Sequence, residues 1–257
     1  MTKRNLGDKF KCPFTCSQHS KSAQVCFKMV TITEYHLPET RLIPNSPQPL
    51  LHYKGLLSES ERRPENIDRH FTQHHWKTQW IFRYGPTQGS HYHSRVHECM
   101  TVLSGTARIR FGVADLDDDL ATNTWGGAHE PGGLELEVEA GDALIIPAGV
   151  AHKTYNTSPG EAFSLLTPGK GRGVQAENVY EALSNVELTG FTMMGAYPRN
   201  CIDWDFSRGG EDLHNFRASW EVAKPDLDPF LGTDSQGLCG RWKTIALSKR
   251  RNPYARI

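Results

Sequence analysis

The sequence predicts an all-β fold, a sandwich or barrel of short strands with a few peripheral helices. Apolar residues alternate with polar ones over short runs, Gly, Pro and Asn separate those runs at close intervals, and helical patterns are too few for a βαβ protein. A length of 257 residues suits one large domain or two small ones and is ample for a buried core.

Composition narrows the function classes. Lys+Arg and Asp+Glu are both 29, so the basic excess typical of nucleic-acid binders is missing. Charged residues are 23% and hydrophobic residues 37%, which argues against wholesale disorder. No apolar run approaches the roughly 18 residues needed to cross a bilayer. The N-terminus has basic residues but no apolar core of a secretory signal. Six irregularly spaced cysteines without an export signal read as reduced thiols. These features predict a soluble, cytoplasmic protein. The C-terminal Ala-Arg-Ile is a weak match to the peroxisomal pattern Ser-Lys-Leu.

Residues 1–28 hold six basic residues against one acid, Asp8, and read as a flexible tail. Cys12, Cys16, His19 and Cys26 lack a standard zinc spacing and read as tail thiols. An N-terminal arm and helix occupy 29–77, a barrel 78–200, and an extension packed on the barrel 201–257. Within the arm, Thr31–Leu37 alternates weakly like a strand, and Pro38, Pro44, Pro47 and Pro49 hold the chain extended. Ser58 and Glu61 have capping-box spacing and Pro64 suits a first helical position, predicting a helix near 64–75.

Strands are expected near 78–84, 90–94, 97–103, 106–113, 134–139, 142–147, 151–156, 163–166 and 190–196. Ala107, Ile109 and Phe111 share one face, with Arg108 and Arg110 on the other. Residues 114–133, with four Asp and two Gly pairs, read as a mobile, solvated loop. Residues 168–189 run through Gly-Lys-Gly-Arg-Gly, read as flexible connection, into a helix at AENVYEAL. Trp204, Trp220 and Trp242 are expected to pack over the barrel.

The chemistry concentrates in the histidines. Of 12, five lie between His74 and His97. His74 and His75 suit a helix C-terminus, where His complements the dipole. His91 and His93 are two apart, so on a strand they share a face and both imidazoles can reach one ion. Glu98 follows at an odd separation and joins them only if Ser94-Arg95-Val96 turns the chain, in which case His97 faces away. A second block runs from the turn Gly141-Asp142 through an apolar strand and the turn Pro147-Ala148-Gly149 to His152. Three imidazoles and one carboxylate suit Fe(II), Mn, Ni, Cu or Zn. Trp80, Phe82 and Tyr84 flank the first block, and some of them should line the cavity.

The two blocks read G-x5-H-x-H-x4-E-x6-G from Gly85 and G-x5-P-x-G-x2-H-x3-N from Gly141, with every position filled. They resemble both signature motifs of the cupin superfamily, the germin-like and RmlC-like small barrels. Flanking segments such as RLIPNSPQPLLHYKG and FTMMGAYP resemble an uncharacterised bacterial and fungal single-domain branch over roughly 40–205, from which the insertion near 168–189 departs. The resemblance implies a jelly-roll β-barrel (double-stranded β-helix) in which His91, His93, Glu98 and His152 hold one divalent transition metal, Fe(II) favoured over Mn, Ni, Zn or Cu. It further implies a homodimer and an enzyme, favoured as a dioxygenase-like oxidoreductase acting on a small oxygenated or aromatic metabolite, in a specialised-metabolite pathway on family analogy. Mn-dependent decarboxylation or isomerisation, or a metal-stabilised binding protein without turnover, are the alternatives. Nothing basic or amphipathic points to nucleic acid or membrane.

Overall fold

A computed structural model describes residues 30–201 and 203–244. The basic tail, its cysteine and histidine group and the C-terminal Ala-Arg-Ile lie outside the described residues. The elements are, in order, β1 (Thr31–Tyr35), β2 (Leu50–Lys54), α1 (Pro64–Gln73), β3 (Trp76–Arg83), β4 (Glu98–Ser104), β5 (Thr106–Phe111), α2 (Leu120–Trp125), β6 (Leu134–Glu139), β7 (Ala143–Ile146), β8 (His152–Ser158), β9 (Ser164–Leu165), α3 (Val179–Ser184), β10 (Thr192–Pro198), α4 (Phe216–Trp220) and α5 (Leu238–Arg241). A seven-stranded sheet in the order β1-β2-β7-β4-β10-β3-β9 faces a three-stranded sheet, β6-β5-β8, and all pairs are antiparallel. This is the all-β architecture expected from the strand pattern, in the jelly-roll form that the resemblance implies.

The large sheet is buried on both faces, which explains its near-continuous apolar runs. Toward the small sheet, Leu50, Trp80, Met100, Val102, Leu144 and Met193 meet Ala107, Ile109, Phe111 and Val138. The opposite face presents the alternate residues Leu51, Cys99, Ala143 and Ile145 to Ile67 and Phe71 of α1, Leu183 of α3 and Trp242. Each fully buried Leu, Ile or Phe contributes roughly 1.5–3 kcal/mol.

Several expectations change in detail. β2 falls where the proline-rich arm was expected to run on, and it pairs with β1 and β7. The 90–94 strand is an extended segment with isolated bridges from His91 to His152 and from Tyr92 to Ser207. Ser58 and Glu61 do bond, Ser58 N–H and Oγ donating to the Glu61 carboxylate at 2.7 and 2.6 Å, but they close a turn that precedes α1.

The 114–133 insertion is folded rather than an open loop. Asp119 caps α2 by accepting from Ala121 and Thr122 N–H. Arg110 reaches from β5 to the Asn123 and Thr124 carbonyls at 3.0 and 3.1 Å. Glu130 accepts from Thr40 Oγ1, Leu42 N–H and Ala114 N–H. Asp115, expected among solvated acids, instead pairs with the buried Lys153 at 2.9 and 3.0 Å. Trp220 and Trp242 pack over the barrel as expected, donating to Pro44 and Pro49 carbonyls respectively. Among the described residues no helix is long and apolar enough to cross a membrane.

Candidate metal centre

The bend at Ser94-Arg95 lets β4 begin at Glu98 and turns its carboxylate onto the face occupied by His91 and His93. The turn at Pro147–Gly149 delivers His152 at the start of β8. Gly149 holds φ +87°, and a Cβ there would stand 2.6 Å from the Asn45 carbonyl oxygen, so a side chain would displace the turn that aims His152. Backbone bonds between His91 and His152, at 2.8 and 3.2 Å, fix the two segments side by side.

Ring nitrogens of His91, His93 and His152 all lie within 4.8 Å of one another. Glu98 stands against two of them, Oε1 3.6 Å from His93 Nε2 and Oε2 3.3 Å from His152 Nε2. All four side chains are buried.

Each imidazole is oriented through its other nitrogen. His91 Nδ1 donates to the Gly89 carbonyl at 3.2 Å, His152 Nδ1 to Val150 at 3.3 Å, and His93 Nδ1 to Asp205. With the proton held on Nδ1, the Nε2 lone pairs face into the cluster, those of His93 and His152 toward Glu98. Glu98 Oε2 has no hydrogen-bond partner. The structure thus brings the three histidines to one point and sets Glu98 beside two of them; buried acceptors with so few protons are unfavourable unless a cation joins them.

The electrostatics agree. Burial pushes the His91 and His152 imidazoles below their ordinary range, His91 furthest because His152 and His93 add to the effect. Burial also acts to lower His93, but Glu98 outweighs it and draws His93 upward. Burial would raise Glu98, yet His93, His152 and Tyr197 hold it below the usual carboxylate range. The carboxylate is poised for positive charge.

Two further features were not anticipated. Tyr197, within the GAYP segment of β10, places its hydroxyl 3.1 Å from both His93 Nε2 and Glu98 Oε1. A strap at 203–208 covers the cluster. Phe206 stacks on His91 with centroids 4.1 Å apart, and Trp204 stands edge-on to His93 at 5.3 Å. The Asp205 carboxylate ties the strap down through Ser94 N–H at 2.9 Å and Ser94 Oγ at 2.6 Å. Trp204 was expected only to pack over the barrel, and no periodicity links this strap to residues 110 positions earlier. The even spacing of aromatics before the first block was the available signal for Trp80 and Tyr84. Both are buried between the sheets, and Glu98 helps to hold the Tyr84 phenol protonated.

His97 faces away from the cluster as expected, but it is buried. Its Nδ1 accepts from Ala148 N–H at 2.9 Å and its ring packs on Trp242. His74 caps α1 and donates to the Pro229 carbonyl, so it has a structural role.

A family model described as Cupin matches residues 87–185, which span both motif blocks. Over those residues the chain is similar to the cupin family. The uncharacterized protein YjlB of Bacillus subtilis (strain 168) is 27% identical to this chain over 204 residues, 77% of this chain and 89% of that protein. Among solved structures, vicilin from hazelnut, Corylus avellana, is 11% identical with a TM-score of 0.25. That match covers 66% of this chain, which spans about a third (32%) of the vicilin chain. The oxalate decarboxylase formate complex of Lactobacillus farciminis is 15% identical, with 50% of this chain and 27% of that chain covered and a TM-score of 0.26.

Proposed function

We propose that this cupin is a metal-dependent enzyme, a dioxygenase-like oxidoreductase acting on a small oxygenated or aromatic metabolite. His91, His93, His152 and Glu98 are its metal ligands and Fe(II) is its favoured ion. The observation that supports the reading is the buried cluster of His91, His93 and His152 ring nitrogens within 4.8 Å of one another, with the Glu98 carboxylate beside His93 and His152 and one of its oxygens unpartnered. A donor set of imidazoles and one carboxylate suits Fe(II), with Mn, Ni, Zn and Cu as competitors. When bound, the ion supplies a Lewis acid and, as iron, a redox partner for dioxygen.

The chain's own groups do the rest. The Gly89, Val150 and Asp205 carbonyls keep the three imidazoles in one tautomer and orientation. Tyr197 donates its phenolic proton to Glu98 Oε1 beside His93, and a substrate oxygen entering there would compete with Glu98 for it. Trp204 and Phe206 keep bulk water from the rings and offer an aromatic surface to an aromatic or apolar substrate.

The test is metal analysis of purified protein, followed by oxygen uptake with Fe(II) and catechols, gentisate-like acids and keto acids. Oxygen consumption that requires Fe(II) and disappears in His152→Ala is expected. Turnover only with manganese and without oxygen would move the reaction to decarboxylation or isomerisation. Tight ligand binding without turnover on any metal would make the protein a binder. The expected homodimer belongs to the same reading and is tested by the solution mass.

A further inference from the structure

A groove of about 320 Å³ opens on the outer side of Tyr197. Its floor is Lys77 of β3 and Tyr197 of β10, which are paired across the two strands, and Trp204 of the strap lines it as well. Arg172 and Arg199 complete the lining, so three cations face one carboxylate, Asp203. The chain as a whole is neutral, which makes this a local concentration of positive charge.

The Gly-Lys-Gly-Arg-Gly segment supplies Arg172. Gly171 and Gly173 flank it at φ +75° and +84°, a backbone that L side chains rarely adopt. Gly173 N–H donates to the Gln79 carbonyl at 3.1 Å and clips the loop to β3. The guanidinium thereby lies over the Trp204 ring, 4.2 Å from its centroid, and donates to Asp203 at 2.7 Å. Both members of that ion pair are largely exposed, so an incoming anion exchanges for Asp203 at little cost. Among the described residues Lys77 and Arg199 have no ion-pair partner, and Arg199 commits only Nε, to the Trp76 carbonyl.

The groove adjoins the histidine cluster through shared side chains. Tyr197 lines the groove and bonds to His93 and Glu98. Trp204 packs edge-on against both His93 and Tyr197.

The geometry points to a docking site for the oxyanion of a small metabolite, a carboxylate or phosphate whose remainder extends past Tyr197 and Trp204 toward the cluster. A planar guanidinium stacked on an aromatic ring, with further cations beside it, is suited to that recognition. In linking the groove to turnover this rests on the proposed function, and it narrows the substrate to an acid rather than a neutral phenol.

Calorimetric titration of the full chain, with and without metal, tests it. The probes are gentisate and hydroquinone, which differ by one carboxylate, together with 2-oxoglutarate and inorganic phosphate. At least one anion should bind, more weakly as salt rises, and Arg172→Gln, Arg199→Gln and Lys77→Gln should each weaken it about tenfold. Arg108→Gln, on the outer face of β5, should leave it unchanged. The carboxylate and phosphate arms separate the two oxyanions. The inference is overturned if no probe anion binds more tightly than about 10 mM, or if the groove variants bind as the parent does. Anion binding that persists in a protein unable to hold metal would sink the metal reading and leave the groove standing. Metal binding without anion binding would do the reverse.

Discussion

Two buried carboxylates, Asp228 and Glu98, lie on opposite faces of the seven-stranded sheet and are treated in opposite ways. Asp228 accepts from Tyr53 OH at 2.5 Å and from the backbone N–H groups of Phe230, Leu231 and Leu238 at 2.8–2.9 Å. Burial and the adjacent carboxylate push the Tyr53 phenol far above its ordinary range, so its proton stays in place. Glu98 receives the Tyr197 hydroxyl on Oε1 and nothing on Oε2, among histidine nitrogens whose protons point elsewhere. A carboxylate with four donors is complete and locks α5 and the C-terminal segment to β2. A carboxylate with an unpartnered oxygen, set against His93 and His152, keeps a place for a further partner, which the proposed function fills with a cation.

Removing each carboxylate should therefore give opposite signatures. Asp228→Ala strands four donors, each costing at least about 1 kcal/mol, so a loss of roughly 4 kcal/mol or more is expected in urea denaturation. Metal affinity of the molecules that remain folded should not change. A loss under about 1 kcal/mol would remove Asp228 from its structural role.

Glu98→Gln should lower metal affinity about 100-fold while leaving the metal-free protein as stable as the parent or more so, because an amide relieves the crowding of acceptors. At metal concentrations that saturate the parent a hundredfold, the parent alone gains about 2.7 kcal/mol on loading. Titration calorimetry and thermal unfolding with and without EDTA read both quantities. If the metal-free variant loses as much stability as Asp228→Ala, Glu98 is structural and the comparison fails.

How much of this was legible depended on whether period or turn chemistry carried the signal. His91 and His93 are two apart, and period two on an extended segment puts them on one face. The polar bend at Ser94-Arg95 and the turn ending in Gly149 then bring Glu98 and His152 to them; the odd separation of Glu98 leaves its face open, and only the bend or the motif resemblance points to it. The sequence could not show that Asp205 would lend its carbonyl to His93, because a single irregular segment 112 residues downstream has no pattern to read. β2 escaped for a local reason, its Leu-Leu pair being short and preceded by prolines that suggest an extended arm. The acids of 114–133 looked solvated because the partner of Asp115 is Lys153, a side chain whose burial only the fold reveals.

A third buried carboxylate sharpens the contrast through pH. Asp142 faces His52 Nε2 at 2.9 Å and accepts from Gly55 and Glu139 N–H at 2.8 and 3.3 Å. Burial would raise its pKa, but the His52 and Gly55 bonds outweigh it and hold the carboxyl below the ordinary range. A lowered folded pKa means that the unfolded chain takes up the proton first. The stabilisation is complete above the ordinary aspartate pKa of about 3.9 and is lost as pH falls through the lower folded value. Denaturation from pH 7 to pH 3 should therefore show Asp142→Asn less stable near neutrality, with the gap closing below about pH 4. A constant gap over the whole range would show that the carboxylate's charge does not contribute.

The smallest effect on stability is expected at the strap, where the consequence is kinetic. Phe206 stacks on His91 yet is 52% exposed, so trimming it removes little buried area from the fold. Phe206→Ala should cost less than about 1 kcal/mol, well short of the 3–5 kcal/mol of a core phenylalanine. If the protein holds metal as proposed, the variant should nevertheless speed stripping by a chelator several-fold, because the ring stands over His91, which is otherwise buried. Asp205→Asn keeps the His93 carbonyl contact but weakens the strap's hold on Ser94, and should speed stripping in the same direction. Stopped-flow chelation with a coloured chelator separates these rates from equilibrium affinity. Unchanged stripping in both variants would mean that the ion reaches solvent by a route that bypasses the strap, leaving the aromatic cover with a packing role only.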